Sequence, residues 1–179
     1  MIKLHQGFTL IEAMITVAII AIITSFAAPS FSSVVAKKRL ETSARELAAT
    51  LNLARSQAIS LRKQVAVKFG SGTNHLSELY WTSKHSDINL INVKDDTDNS
   101  DVVFNQLGIP QQRTKMVPNK NYDSSLPTDL NQNPPLNPPQ VQAIVPLKFE
   151  LCHSKIKESR IVSITLNGTI ENISSGVCS

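Results

Sequence analysis

The chain has 179 residues, 41% of them hydrophobic, a length that suits one long helix plus one modest globular domain. Its net charge of +4 is unevenly spread, since residues 37–68 hold eight basic and two acidic side chains, whereas residues 69–179 hold nine basic and eleven acidic ones. A nucleic-acid-binding head normally carries a basic patch, so a head with more acidic than basic residues disfavours that class.

The first informative segment is the octapeptide QGFTLIEA, which opens an apolar run that continues to Ala28. Glu12 is the lone carboxylate in this run, and no other charged side chain follows before residue 37. A carboxylate facing hydrocarbon costs about 2.5–3.5 kcal/mol, so it is normally retained for a function and paired with a partner. A cut after Gly7 would supply that partner, because it would leave the α-amine of Phe8 one helical turn from Glu12.

A long helix follows from this start. Residues 8–29 are sufficient to cross a bilayer as a helix, at about 1.5 Å per residue. Pro29 lacks a backbone donor, and we expect it to kink the helix without ending it. An amphipathic continuation is predicted over residues 30–63, because apolar residues recur there at alternating spacings of four and three. This stripe, which the following sheet is expected to cover, consists of Leu40, Ala44, Leu47, Leu51, Ala54, Ala58 and Leu61.

Residues 64–179 form the predicted β-rich head, since short runs of alternating apolar residues replace the helical pattern there. Within the head, residues 110–146 are rich in Pro, Asn and Gln, which exclude a helix or a central strand and indicate a long surface excursion with extended segments. The dipeptide Asn167-Gly168 is a strong hairpin signal. Strands are predicted over 64–69, 76–82, 88–93, 102–104, 143–153, 160–166 and 169–173.

The two cysteines, Cys152 and Cys178, form no C-x-x-C pair and have no metal-ligand spacing. A head on the outer side of a membrane lies in an oxidising compartment, where an even pair of cysteines favours a structural disulfide. Closing a loop of that size would contribute roughly 3 kcal/mol in the chain-entropy account. The alternative is two unrelated buried thiols.

No pattern in the sequence predicts an enzyme, a cofactor or a metal site. In the acidic loop 95–101, Asp96, Asp98 and Ser100 alternate as in an EF-hand loop. Asp101 replaces the required Gly and Leu107 stands where the bidentate Glu belongs, so a solvated loop is favoured. Tyr80 and Trp81 bury much apolar area and are predicted as core or sheet-face residues, not as a ligand platform. The remaining candidates are three histidines at no recognisable catalytic spacing, His75, His85 and His153.

The octapeptide resembles the leader junction of type IV prepilins and of type II secretion pseudopilins. The resemblance implies that a prepilin peptidase removes residues 1–7 as a leader peptide and methylates the new amine of Phe8. It also implies that Glu12 pairs with the amine of a neighbouring subunit and sets the register of a filament. An ordinary secretory signal fails because the apolar core follows the cut instead of preceding it, and a simple anchor explains neither Gly7-Phe8 nor Glu12.

Further segments resemble the minor pilins and pseudopilins of the FimT/FimU and GspH group. These segments are residues 28–33, residues 51–59, the strand through Val65 and Val67, residues 149–152 and residues 160–162. The resemblance implies an α+β, type IV pilin-like fold with a long kinked N-terminal helix, transmembrane in its first half, packed on an antiparallel β-sheet head. It implies a bacterial inner-membrane protein, single-pass with a periplasmic head, that later enters a pilus filament. The implied partners are other major and minor pilins, the prepilin peptidase and the inner-membrane assembly platform.

One departure bears on function. DNA-binding members of that group carry a G-R-x-R motif where this chain has Gly168, Thr169, Ile170 and Glu171. Because Lys and Arg contacts to phosphate dominate DNA affinity, the chain resembles a structural minor pilin of the FimU kind more than a DNA receptor. The sequence therefore predicts a minor pilin that helps to initiate or cap type IV pilus assembly. A minor pseudopilin of a type II secretion system is the alternative, and a DNA-uptake receptor is disfavoured.

Overall fold

The computed structural model describes residues 9–91, 100–145 and 147–178, apart from the side chains of residues 25–30. Within these ranges the chain forms one helix, α1 (Leu10–Leu61), followed by nine strands. The strands are β1 (Val65–Phe69), β2 (Glu78–Trp81), β3 (Ile88–Ile91), β4 (Val102–Phe104), β5 (Arg113–Pro118), β6 (Gln140–Val145), β7 (Leu147–His153), β8 (Glu158–Ile164) and β9 (Ser174–Val177).

Helix α1 runs through position 29 without a break in its secondary structure. The kink predicted at Pro29 stays a prediction, because that side chain lies outside the described set. The helix ends two residues before the predicted boundary at 63. There Arg62 adopts a left-handed conformation with φ of 51°, and its N–H is directed at the carbonyls of Ala58 and Ile59, which closes the last turn.

The apolar stripe on the outer half of α1 faces the sheets. Its six members from Leu40 to Ala58 are fully buried, as the alternating spacing predicts. The seventh, Leu61, is 39% exposed, because the chain turns away from the helix at the next residue. Three of the buried members are alanines, which lets the sheets approach the helix closely. The burial pattern confirms that the head covers one face of the continuation.

Two sheets pack on that stripe. One has the strand order β2-β1-β4 and the other β3-β7-β8-β9, and both contact α1. Phe149 and Val162, which are opposite each other on β7 and β8, are fully buried between sheet and helix. The pairs are antiparallel, as predicted, except that β1 and β2 run parallel with Ala66 opposite Glu78. The predicted α+β class is confirmed.

The predicted excursion contains a two-stranded arm. β5 and β6 pair antiparallel over their full lengths, and they form a sheet of their own. The extended segments that the Pro-rich composition predicts are thus present, but their pairing with each other is not evident from that composition. The expected single strand over 143–153 is wrong, since β6 ends at Val145 in the arm and β7 begins at Leu147 in the main sheet.

The turn at Asn167-Gly168 is present, with a different continuation from the one expected. Gly168 has a φ of 80°, its N–H donates to the carbonyl of Thr165 at 2.9 Å, and the chain reverses there. The strand predicted over 169–173 reduces to a single bridge between Ile164 and Ile170. The strand that pairs with β8 is instead β9, which begins at Ser174 and lies opposite residues 158–161.

The disulfide predicted between Cys152 and Cys178 is present, with Cα atoms 5.6 Å apart. Cys152 lies on β7, and Cys178 directly follows β9. β8 lies between β7 and β9 in the sheet, so the disulfide links the end of the edge strand β9 to β7, across β8. It closes a chain segment of 26 residues and restrains the end of the head.

Candidate functional site

The candidate site begins at the first turn of α1. Thr9 is the N-cap, and its Oγ1 accepts a hydrogen bond from the backbone N–H of Glu12 at 3.3 Å. The order Thr-x-x-Glu is that of a capping box, in which the glutamate is also favourable at the positive end of the helix dipole. The bond in the structure involves the backbone of Glu12, so the Glu12 carboxylate is not used in it.

Around Glu12 the helix is apolar and exposed on all sides. Large hydrophobic side chains between residues 10 and 23 are each more than half exposed, and such a surface normally marks an interface with protein or lipid. Over the described residues, no helix combines the length and apolar character needed to cross a membrane. Gly7 and Phe8, the residues of the predicted cut, lie outside the described residues. The exposed side chains are Leu10, Ile11, Met14, Ile15, Val17, Ile19, Ile20, Ile22 and Ile23.

An ion-pair network fixes this helix to the head. Arg160 of β8 donates from Nε to Glu41 of α1 at 3.1 Å, and Arg45 donates to the other oxygen of the same carboxylate at 2.9 Å. The hydrogen bond from Arg45 is the main cause that lowers the pKa of Glu41; desolvation opposes it, and the hydrogen bond from Arg160 adds to the lowering. One carboxylate thus joins the outer half of α1 to β8.

Arg55 makes a second connection at the far end of the helix. Its Nε donates to the carbonyl of Gly108 at 3.2 Å, and its Nη2 is 3.3 Å from the carbonyl of Asn167. By charge alone, Arg45, Arg55 and Arg62 on this helix would be candidates to attract DNA. The structure instead engages Arg45 with Glu41 and Arg55 with two turns of the head, so these two guanidinium groups are committed to the fold.

The hairpin that aligns with the DNA-binding motif of related proteins is close to this second connection. Thr169 and Glu171 are exposed, and Ile170 between them packs on the core. The backbone N–H of Glu171 donates to the carbonyl of Ser163 at 2.9 Å, which holds the hairpin against β8. The exposed positions thus present a hydroxyl and a carboxylate where phosphate binding requires cations.

The other residues weighed from the sequence lie apart from the helix start. Trp81 is buried and packs edge-on against Phe69 with ring centroids 6.2 Å apart, which confirms its core role. Tyr80 donates its hydroxyl to Glu78 at 3.2 Å. The Oδ1 of Asp101 is 3.4 Å from the N–H of Phe69, and the rest of the acidic loop up to residue 99 lies outside the described residues.

Three histidines also fall outside the candidate site. His153 is buried, and its Nδ1 accepts from the backbone N–H of Lys155 at 3.3 Å. His75 and His85 are in the loops that precede β2 and β3. Among the described residues, no group of three or more His, Cys, Asp or Glu side chains could hold a metal ion.

Comparison with known protein families gives two matches. The family profile described as Type II transport protein GspH matches residues 43–169, more than half of the chain. The profile described as Prokaryotic N-terminal methylation motif matches residues 2–28. No curated protein and no solved structure matches the chain. The first match covers most of the helix–head unit, and the second covers Gly7, Phe8 and Glu12.

Proposed function

The chain belongs to the GspH family of type II transport proteins, and on that premise we propose that it is a structural minor pilin of a type IV pilus. Its role is to help initiate or cap the filament after a prepilin peptidase has processed it. The segments of helix and head that resemble the FimT/FimU and GspH group support a pilin-like subunit, and the missing G-R-x-R motif supports a structural role over DNA binding. The partners are other major and minor pilins and the inner-membrane assembly platform.

The proposal rests on one observation. The start of α1, residues 10–23, exposes large apolar side chains and carries one carboxylate, Glu12, in its first turn. Such a surface is stable only when lipid or other chains cover it. We infer that the inner membrane covers it first, with the head in the periplasm, and that neighbouring subunits cover it in the filament. The change of surroundings requires no change within the head.

The chemistry assigned to the helix start follows from its charges. Removal of residues 1–7 exposes the amine of Phe8, which the peptidase then methylates; the group remains a cation. A cation and a carboxylate attract far more strongly in a low-dielectric surrounding than in water, and leaving either unpaired there is costly. Glu12 therefore favours the one axial offset at which it meets a neighbour's amine, and this selects the register of the filament.

The test separates the charge of Glu12 from its capping role. Glu12→Gln keeps a capping-box partner and removes the charge, so it should be processed normally yet be lost from sheared filaments. Thr9→Ala removes the N-cap oxygen, which costs the helix about 1 kcal/mol, and should still enter filaments. If Glu12→Gln enters filaments as wild type does while Glu12→Ala and Thr9→Ala do not, the glutamate acts only as a cap and the register role is wrong.

A second candidate is a minor pseudopilin of a type II secretion system, which the match of residues 43–169 to a type II transport family supports. The two assignments use the same helix chemistry and differ in the filament that the subunit enters. Deletion of the gene should reduce the number of surface pili if the chain is a minor pilin. It should reduce the release of secreted enzymes if the chain is a minor pseudopilin. Loss of secretion with normal piliation would transfer the assignment to the secretion system.

A further inference from the structure

Five cations lie where the head meets α1, and we name them the basic collar. All five of its residues are solvent-exposed. Three occupy consecutive positions on α1, and two belong to the turn between β7 and β8. The members are Lys37, Lys38, Arg39, Lys155 and Lys157.

One ion pair and one cavity bring cations of the helix close to the turn. The Nζ of Lys37 lies 2.6 Å from Glu158, and the Nζ of Lys155 lies 3.4 Å from Asp87. Arg39, Asp87 and Lys155 line one open cavity between the helix and the turn. The five cations of the collar are offset by the two acids that pair with them, Glu158 and Asp87, so three positive charges remain in excess. The collar is therefore an electropositive surface, although the head from residue 69 onward has a net negative charge.

The collar is located where an apolar stretch of the helix ends. No charged residue occurs from position 13 to position 36. Directly before the collar, Phe31 and Val34 are 70% and 58% exposed. Directly after it, Leu40 is fully buried by the head. Exposed apolar side chains followed by flexible cations form the pattern of a membrane–water interface, where Lys and Arg extend their charged ends toward lipid headgroups.

The distances agree with that location. Lys37 is eight residues beyond position 29, which corresponds to about 12 Å along the helix. The hydrocarbon core of a bilayer is about 30 Å thick and the whole bilayer about 40–45 Å, so the headgroup layer adds several Å on each side. A helix buried up to position 29 thus places the collar just outside the headgroups, within reach of long side chains.

We propose that the basic collar binds the anionic headgroups of the leaflet that faces the head before the subunit is assembled. The inference rests on the proposed function, since it requires α1 to be anchored in the membrane. Each cation near an anionic surface strengthens binding by about fivefold, so three excess charges favour the orientation of the subunit in which the collar touches the leaflet. Assembly then has to release the collar.

The test uses the full chain reconstituted in vesicles of phosphatidylcholine, alone or mixed with phosphatidylglycerol. The readout is amide hydrogen exchange in the turn of residues 153–158. Exchange should slow by about tenfold or more when phosphatidylglycerol is present at low salt. The protection should vanish at about 500 mM salt, where the Debye length falls well below 10 Å.

Matched variants identify the surface. One triple variant combines Lys38→Gln, Arg39→Gln and Lys157→Gln. It removes the excess charge and spares the cations paired with Glu158 and Asp87, so it should lose the protection by phosphatidylglycerol. The control variant should keep the protection. It removes three exposed cations outside the collar by Arg62→Gln, Lys63→Gln and Lys120→Gln.

Three outcomes would overturn the proposal in different ways. Equal exchange in the two lipids, with the chain still sedimenting with vesicles after an alkaline wash, would reject the collar and leave the anchor intact. Chain released by the wash would reject the anchor of the proposed function and the collar with it. Protection by added duplex DNA in phosphatidylcholine, with none from phosphatidylglycerol, would assign the collar to a nucleic acid instead.

Discussion

At the residue scale, Glu41 joins the helix to the sheet. Its carboxylate accepts from Arg45 of its own helix and from Arg160 of β8, and these hydrogen bonds lower its pKa below the ordinary value of 4.5. A group whose pKa is lowered on folding stabilises the fold above its ordinary pKa, and this contribution is lost as the pH falls through the folded-state value.

We therefore expect Glu41→Gln to lower the free energy of unfolding at pH 7 by about 1 kcal/mol, because both partners are partly exposed. The difference from wild type should shrink as the pH falls below 4.5 and disappear once both states bind the proton. Denaturant titrations of both detergent-solubilised proteins at several pH values measure the difference in the free energy of unfolding. A difference that is the same at pH 7 and at pH 3 would show that the carboxylate's charge is not involved.

Residue-scale contacts divide clearly into those that the sequence predicts and those that it does not. Glu12 was predicted as a site because a carboxylate in an apolar run is chemically anomalous without any structure. The Glu41–Arg160 pair spans 119 residues, and neither residue is anomalous in its own segment. Likewise, Arg55 belongs to a generally basic helix, so nothing local signals that it binds the carbonyls of two distant turns.

At the element scale, the apolar stripe of α1 carries the packing. Leu47 is fully buried under the sheets, whereas Leu53, on the same helix, is 50% exposed. Leu47→Ala should cost about 2–5 kcal/mol, from lost burial and the cavity left behind. Leu53→Ala should cost less than about 1 kcal/mol. The free energy of unfolding of the two variants tests which helix face is covered, and equal losses would contradict the helix–sheet packing.

The helix stripe was predictable because its period of 3.6 residues is local. Strand pairing was not, since register depends on contacts far apart in sequence. Three features depend on such distant contacts: the parallel pair of β1 with β2, the division between β6 and β7, and the pairing of β8 with residues 174–177 in place of 169–173. The Pro-rich composition indicated an exposed excursion, but it does not specify that β5 and β6 pair with each other.

At the scale of the whole molecule, the charge distribution disfavours a DNA receptor. Arg45 and Arg55 are engaged in the fold, and the hairpin presents Thr169 and Glu171. Duplex DNA carries one charge per about 1.7 Å, so binding needs several clustered cations and weakens steeply with salt.

We expect the full chain in detergent to show no specific duplex binding at about 150 mM salt, measured by gel retardation. Weak retardation at low salt should fall when Lys38, Arg39 and Lys157 are neutralised. Micromolar or tighter binding at physiological salt that is lost on mutation of the 167–171 hairpin would favour the receptor over the structural subunit.

We propose that this chain becomes a filament subunit by processing at Gly7-Phe8, which puts a methylated amine one helical turn from Glu12. The intact mass of the protein, extracted from membranes of cells with an active prepilin peptidase, tests this. We expect the mass of residues 8–179 with the disulfide intact and one added methyl group, and the unprocessed mass in cells that lack the peptidase. Full-length, unmethylated chain in cells with an active peptidase would contradict it.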